Sequence, residues 1–204
     1  MNSASEKVAF SERLADRIIS KERWIDDEEG YLKVKYGLEI MIINGSKLAI
    51  VYGASLLFGL FFQTLLTHVG YLVLRRYSFG LHAKSSVACT IVSLAMFVAG
   101  PLLFQHVPSN NLVVLIVFTI VLLCMIGYAP ADTESLPLVG EQERKKLKRK
   151  AIISTVILMG VTVLIPVAEM KTLIMLGSVY QVLTIHPVTY KILKRRYRNY
   201  EIYE

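Results

Sequence analysis

The chain has 204 residues, of which 54% are hydrophobic, and a mean hydropathy of +0.49. It is too apolar for an ordinary soluble domain and about the size of one compact membrane unit. Its formal charge of +7 comes from basic residues set beside apolar runs rather than in a separate soluble domain, a placement that favours membrane orientation over nucleic-acid binding.

Residues 1–30 are charged and contain no early apolar stretch of signal-peptide type, so this cytoplasmic segment is expected to be retained. Ser3 with Glu6 reads as a capping box, and Phe10, Leu14, Ile18 and Ile25 recur at helical spacing opposite Glu12, Arg13, Asp16 and Lys21. The segment predicts an amphipathic helix. With Trp24 near its end, that helix suits the inner leaflet of a membrane lipid bilayer, a partner, or its own bundle. The acidic run Asp26-Asp27-Glu28-Glu29 with Gly30 is expected to end it.

From Tyr36 to Leu74 the sequence is nearly all apolar, and one helix of that length would far exceed a ~30 Å hydrocarbon core. It predicts a hairpin with Gly53 and Gly59 flanking the turn, or else a re-entrant pair. Ionisable groups at such depth are costly unless they face protein or water. Glu39 on the first arm is therefore a candidate site residue, although Glu39 and Lys47 also suit an interface. His68 reads as a packing histidine. Further apolar runs at about 86–105, 112–128, 151–168 and 171–190 each suffice for a span. The predicted architecture is an all-α, polytopic integral membrane helical bundle of about six spans, or four spans plus the re-entrant pair, with residues 31–204 as its membrane-embedded domain. Turns fall at Val107 to Asn111 and Pro166 to Lys171, and His106, Cys124 and His186 read as structural.

Lys33 and Lys35, the Arg75/Arg76/Lys84 group, the run from Arg144 to Lys150 and the tail at 191–204 alternate with turns nearly free of Lys and Arg. The positive-inside rule then predicts a plasma-membrane protein with all four groups and both termini cytoplasmic. Residues 129–149 read as a loop whose basic half orients the chain. Lys145 and Lys146 in it are candidates for attracting an acidic peptide. No Gly-rich phosphate loop, no HExxH and no intramembrane aspartyl pair occurs, so no cofactor and no metal is expected.

The polar island from Arg75 to Cys89 lies between two apolar runs and holds one of four histidines and one of two cysteines. A thiol needs a base or a positive field to react as thiolate. On one unbroken helix His82 and Cys89 would stand ~10.5 Å apart along the axis, beyond hydrogen-bond reach. A pairing therefore requires a helix break, which Gly80 permits. Ser85 or Ser86 is a good N-cap for the next helix, placing Cys89 in its first turn, where the dipole favours negative charge. Arg75, Arg76 and Lys84 add positive charge. The plain alternative is an interfacial histidine and a thiol acting as a small apolar residue.

The pattern of Arg75-Arg76, Gly80, His82 and Cys89 at the start of a membrane helix, with Tyr128-Ala129-Pro130-Ala131 closing a later span, resembles the accessory gene regulator B (AgrB) family of Gram-positive quorum sensing. The resemblance implies a membrane cysteine endopeptidase that cleaves the C-terminal part from a small precursor, AgrD, and promotes closure of its thiolactone ring. It matches His82 to the family's catalytic histidine, Cys89 to its cysteine, and Arg75 and Gly80 to supporting positions. Family members often carry histidines just upstream, where this chain has Tyr77 and Phe79, which leaves His82 as the base candidate in the segment. The implied partner is an AgrD-like precursor peptide; a homodimer is a further arrangement open to the chain. The competing reading is a small transporter without covalent chemistry, and a third is a membrane scaffold.

Overall fold

The computed structural model describes residues 10–19, 28–81, 85–134 and 136–204. The described chain is all-α: α1 (Phe10–Ile18), α2 (Glu28–Leu57), α3 (Phe61–Ser78), α4 (Ser86–Leu94), a π-helical segment (Ala95–Ala99), α5 (Gly100–Phe104), α6 (Asn111–Tyr128), α7 (Glu141–Leu164), α8 (Ala168–Ile185), α9 (Pro187–Ile192) and a closing 3₁₀ turn (Asn199–Ile202). By length and composition, Glu28–Leu57, Ser86–Phe104 and Asn111–Tyr128 are long and apolar enough to cross a membrane. The expected capping box at Ser3 and Glu6, and Trp24, lie outside the described residues.

The chain forms two units, Met1–Val51 and Tyr52–Glu204, whose boundary falls inside α2. In the first, α1 docks on the start of α2. Ala15 and Tyr31 are buried, the Asp16 carboxylate pairs with Lys35 at 2.6 Å and accepts from the Tyr31 hydroxyl at 3.5 Å. Ile18, expected on the apolar face, stays 60% exposed. Glu28 and Glu29 of the acidic run do not terminate an element but open α2, because carboxylates in a first turn complement the positive end of the helix dipole. Gly53 lies within α2, and the break falls at residues 58–60, where Gly59 adopts φ +67°.

In the second unit α8 is central. It buries the side chains from Lys171 to Met175, then Ser178, Gln181 and Ile185, and packs against α3, α5, α6 and α7 or their neighbours. α3 presents Thr64, Thr67, His68, Leu74 and Ser78 inward, and α6 presents Val114, Phe118, Val121 and Met125, each set at helical spacing. Ile116, Ile120 and Leu123 of α6 face outward, as a lipid-facing stripe should. α3 and α8 touch through backbone: a Cβ on Gly177 would lie 2.0 Å from the Thr67 carbonyl oxygen, and one on Gly70 would lie 2.6 Å from that of Ile174. Such close approach is what small residues give membrane helices. Gly177→Ala is therefore expected to destabilise the bundle by about 3 kcal/mol or more, read as a lowered unfolding midpoint in detergent. Gly160→Ala, with nothing within 4 Å of the added carbon, serves as the silent control.

The π-helical segment seats Phe97 against the buried His68 ring at 4.5 Å, and the Thr64 hydroxyl donates to the Phe97 carbonyl at 2.6 Å. His68 also pairs through Nδ1 with the Tyr52 hydroxyl at 3.0 Å, so it is a satisfied packing histidine. The segment expected as a 129–149 loop is a loop only to Gly140. The basic run from Arg144 to Lys150 is the first part of α7, since Glu, Lys and Arg are good helix formers. Lys145 with Glu141, and Lys146 with Glu143, add pairs along it. The turn between α7 and α8 is Ile165 to Val167, shorter than Pro166 to Lys171.

Candidate active site at the junction of α3 and α4

The sequence around Ser78 ends one helix and starts another by local means. Phe79 and Gly80 take φ values of 53° and +113°, which stop α3, and Gly is the residue that accepts the second without cost. α4 begins after Ser85, whose hydroxyl accepts from the Ala88 N–H at 3.1 Å. The N–H of Cys89 reaches the Ser85 carbonyl at 3.0 Å, so this half-buried thiol stands in the first turn of a capped helix, at the positive end of its dipole. His82 and Lys84 lie outside the described residues.

The short strap from Ser78 to Leu81 leads toward that helix. It pairs with Ala131, just after the cis Ala129–Pro130 bond. The Ala131 N–H donates to the Ser78 carbonyl at 2.9 Å and the Gly80 N–H to the Ala131 carbonyl at 2.8 Å. On the other side the Leu81 N–H donates to the Thr184 carbonyl at 2.9 Å. Arg75 turns its guanidinium back along the strap, giving Nη2 to the carbonyls of Gly80 and Leu81 at 2.9 and 3.1 Å and Nη1 to the Thr184 hydroxyl at 3.0 Å. The same guanidinium lies 5.7 Å from the Tyr71 ring centre.

Arg75 and Gly80 are thus brought together. Arg76 is exposed, its guanidinium 5.6 Å from the Tyr77 ring, and the Lys150 ammonium lies 5.6 Å from the same ring, so the basic part of α7 reaches the end of α3. Lys145 and Lys146 are exposed on α7 in their pairs with Glu141 and Glu143. Glu39 is half-buried on α2, in the N-terminal unit. Gln181, Thr184, Ala131 and Tyr71 were not legible as site residues. A lone amide in the apolar run from Leu173 to Ile185 was the available signal for Gln181, because intramembrane polar groups are seldom idle.

A basic cavity of about 190 Å³ adjoins the strap at Ala131 and is lined by Arg144, Lys145, Lys148, Arg198 and Tyr200 among others. The C-terminal tail closes one side. The Asp132 carboxylate accepts from the backbone N–H groups of Asn199 and Tyr200 at 2.9 and 2.7 Å. Arg144 stacks 3.8 Å from the Tyr200 ring centre and makes two bonds to the Glu204 carboxylate, at 2.6 and 2.8 Å. Those bonds, with one from the Gly140 N–H, hold Glu204 below the usual carboxylate range. His186 caps α9 through Nδ1, at 3.3 Å from the Val188 N–H, and packs on Tyr128. Among the described residues no group of His, Cys, Asp and Glu is placed to hold a metal ion.

Fold and site together define an all-α membrane protein with a thiol at a capped helix start and an arginine-held backbone turn a few residues before it in the chain. The family model described as accessory gene regulator B matches residues 11–185. The chain is 64% identical over 204 residues to the putative AgrB-like protein of Listeria innocua serovar 6a, covering 100% of both chains. It is 46% identical over 173 residues to the putative AgrB-like protein of Clostridium acetobutylicum, covering 85% of this chain and 83% of that one. To the accessory gene regulator protein B of Staphylococcus haemolyticus it is 38% identical over 162 residues, 79% of this chain and 85% of the other. No solved structure matches. The chain belongs to the accessory gene regulator B family, and with it to quorum-sensing pheromone processing.

Proposed function

We propose that the protein is a membrane cysteine endopeptidase that cleaves an AgrD-like precursor peptide at the cytoplasmic face. The observation that carries this reading is the seating of Cys89 in the first turn of a capped helix, across a break from an arginine-held strap whose next residue is His82. His82 takes the thiol proton as Cys89 Sγ attacks the scissile carbonyl carbon. The tetrahedral intermediate collapses, the C–N bond breaks, and the leaving amine receives the proton from His82. The product is a thioester between Cys89 and the N-terminal fragment. A cysteine thiol of that fragment then attacks the thioester carbonyl, closing a thiolactone and returning the thiol to Cys89. Exchange of one thioester for another is nearly isoenergetic, so the uphill step is the first, and removal of the C-terminal fragment draws the sequence forward.

The direct test is to incubate the protein in liposomes with precursor peptide, quench at low pH and map adducts by mass spectrometry. An acyl group on Cys89 is expected; turnover with no adduct on Cys89 in rapid-quench samples, together with full activity of Cys89→Ala, overturns the reading.

The basic start of α7 supports an added role in capturing an acidic part of the peptide. Lys145 and Lys146 point to water, each with a carboxylate neighbour, so their effect acts on encounter and is screened over a Debye length of ~10 Å at 0.1 M salt. Changing Lys145, Lys146 and Lys148 together to Gln is expected to lower cleavage about threefold at limiting precursor and to flatten its salt dependence. Cleavage at saturating precursor should hold. An unchanged salt dependence reduces the run to an orientation signal.

A further inference from the structure

We infer that Gln181 and Thr184 of α8 are positioning residues for this site, holding the strap from Ser78 to Leu81 and the Arg75 guanidinium in one arrangement. The inference rests on the peptidase reading above and adds to it two residues on a helix more than 90 positions away in the chain.

Beyond Ser78, the last residue of α3, the strap has no regular secondary structure except its bridge to Ala131, yet three successive carbonyls in it are fixed by side chains. Gln181 Nε2 donates to the Phe79 carbonyl at 2.6 Å, and Arg75 Nη2 donates to those of Gly80 and Leu81. Gln181 Nε2 also donates to the Ser78 hydroxyl at 2.7 Å. Arg75 is in turn set by Thr184, whose hydroxyl accepts from Nη1 and lies 3.1 Å from Gln181 Oε1, to which it can donate, and 2.9 Å from the Gln181 carbonyl. The two α8 residues, three apart, share a face. One grips the strap directly and the other through the guanidinium.

Gln181 is fully buried. A buried amide is costly unless its donors and acceptor are used, and apolar residues would fill the same volume in a bundle core without that cost. Here Nε2 donates to Ser78 and Phe79 of the strap and the oxygen accepts from Thr184, so the amide's polar capacity is directed to the segment that leads into His82. Reacting groups displaced by about 1 Å can lose on the order of 100-fold in rate. A strap held at successive carbonyls is a means of preventing such displacement.

The test uses Gln181→Met, Thr184→Val and Thr184→Ser in the full chain, in liposomes, with a synthetic precursor peptide containing one internal cysteine. Gln181→Met and Thr184→Val are expected to lower kcat on the order of 30-fold with KM within about twofold. Thr184→Ser, which keeps the hydroxyl, should stay within about threefold of the parent. Hydrogen exchange at the Gly80 and Leu81 amides should accelerate about tenfold in the first two variants and not in the third, while α6 amides hold. A wild-type kcat in Thr184→Val, or exchange at Gly80 and Leu81 unchanged in it, overturns the inference. If Gln181→Met fails to accumulate in the membrane, Thr184→Val, which preserves shape, decides alone. Normal cleavage by Cys89→Ala would remove the peptidase reading instead, and the exchange experiment separates the two failures because it needs no turnover.

Discussion

Cys89→Ala is expected to abolish precursor cleavage, lowering it by more than about 1,000-fold, while the protein still inserts and melts as the parent does. The chemistry loses its nucleophile, so neither the acyl-enzyme nor the thiolactone forms. The fold loses little. Cys89 is half-buried, its backbone N–H is held by the Ser85 carbonyl whatever the side chain, and the Ser85 hydroxyl still caps α4 through Ala88. Cys124→Ala is the matched control: this second free thiol is half-buried on α6, and a small apolar exchange costs little there. Intact-mass measurement of precursor and fragments over time distinguishes the pair. Normal cleavage by Cys89→Ala would remove Cys89 as the nucleophile and with it the cysteine-peptidase reading.

The break between α3 and α4 is legible in the sequence because its causes are local: a glycine for the positive φ, and a serine cap in front of an apolar run. The same holds for Gly59 at the end of α2. The partners of the strap are not local. Ala131 and Thr184 are brought to Gly80 and Leu81 by tertiary packing, and no pattern near residue 80 announces them. Gly70 and Gly177 look like ordinary membrane-helix glycines in the sequence, but each faces the backbone of the opposite helix. The basic run at the start of α7 misleads in another way. It has no apolar periodicity and so reads as loop, yet its residue types favour helix and its Glu–Lys pairs fall at helical spacing. The acidic residues before α2 mislead similarly, since Glu28 and Glu29 stabilise a helix start as readily as they mark a solvated end.

Gly80→Ala is expected to cost cleavage on the order of 100-fold with only a modest loss of stability. At φ +113° an alanine is strained by about 1–3 kcal/mol, and the added carbon would sit 2.8 Å from the Thr184 carbonyl oxygen and 2.9 Å from Ile185 Cγ2. Backbone of α8 cannot yield, so the strap must move away from it. That movement lengthens the Leu81 to Thr184 bond and takes the Gly80 carbonyl from Arg75, upsetting the approach to His82 while Leu74, Phe118 and Met125 keep the core packed. Gly59→Ala gives the comparison. It too carries positive φ, at +67°, but nothing lies within 4 Å of its added carbon, so backbone strain is present without displacement of the strap. Cleavage by Gly59→Ala should remain within about threefold of the parent. If both variants lose activity equally, general strain accounts for the effect; if Gly80→Ala alone fails, with its melting midpoint close to that of Gly59→Ala, the position of the strap against α8 is what the chemistry requires.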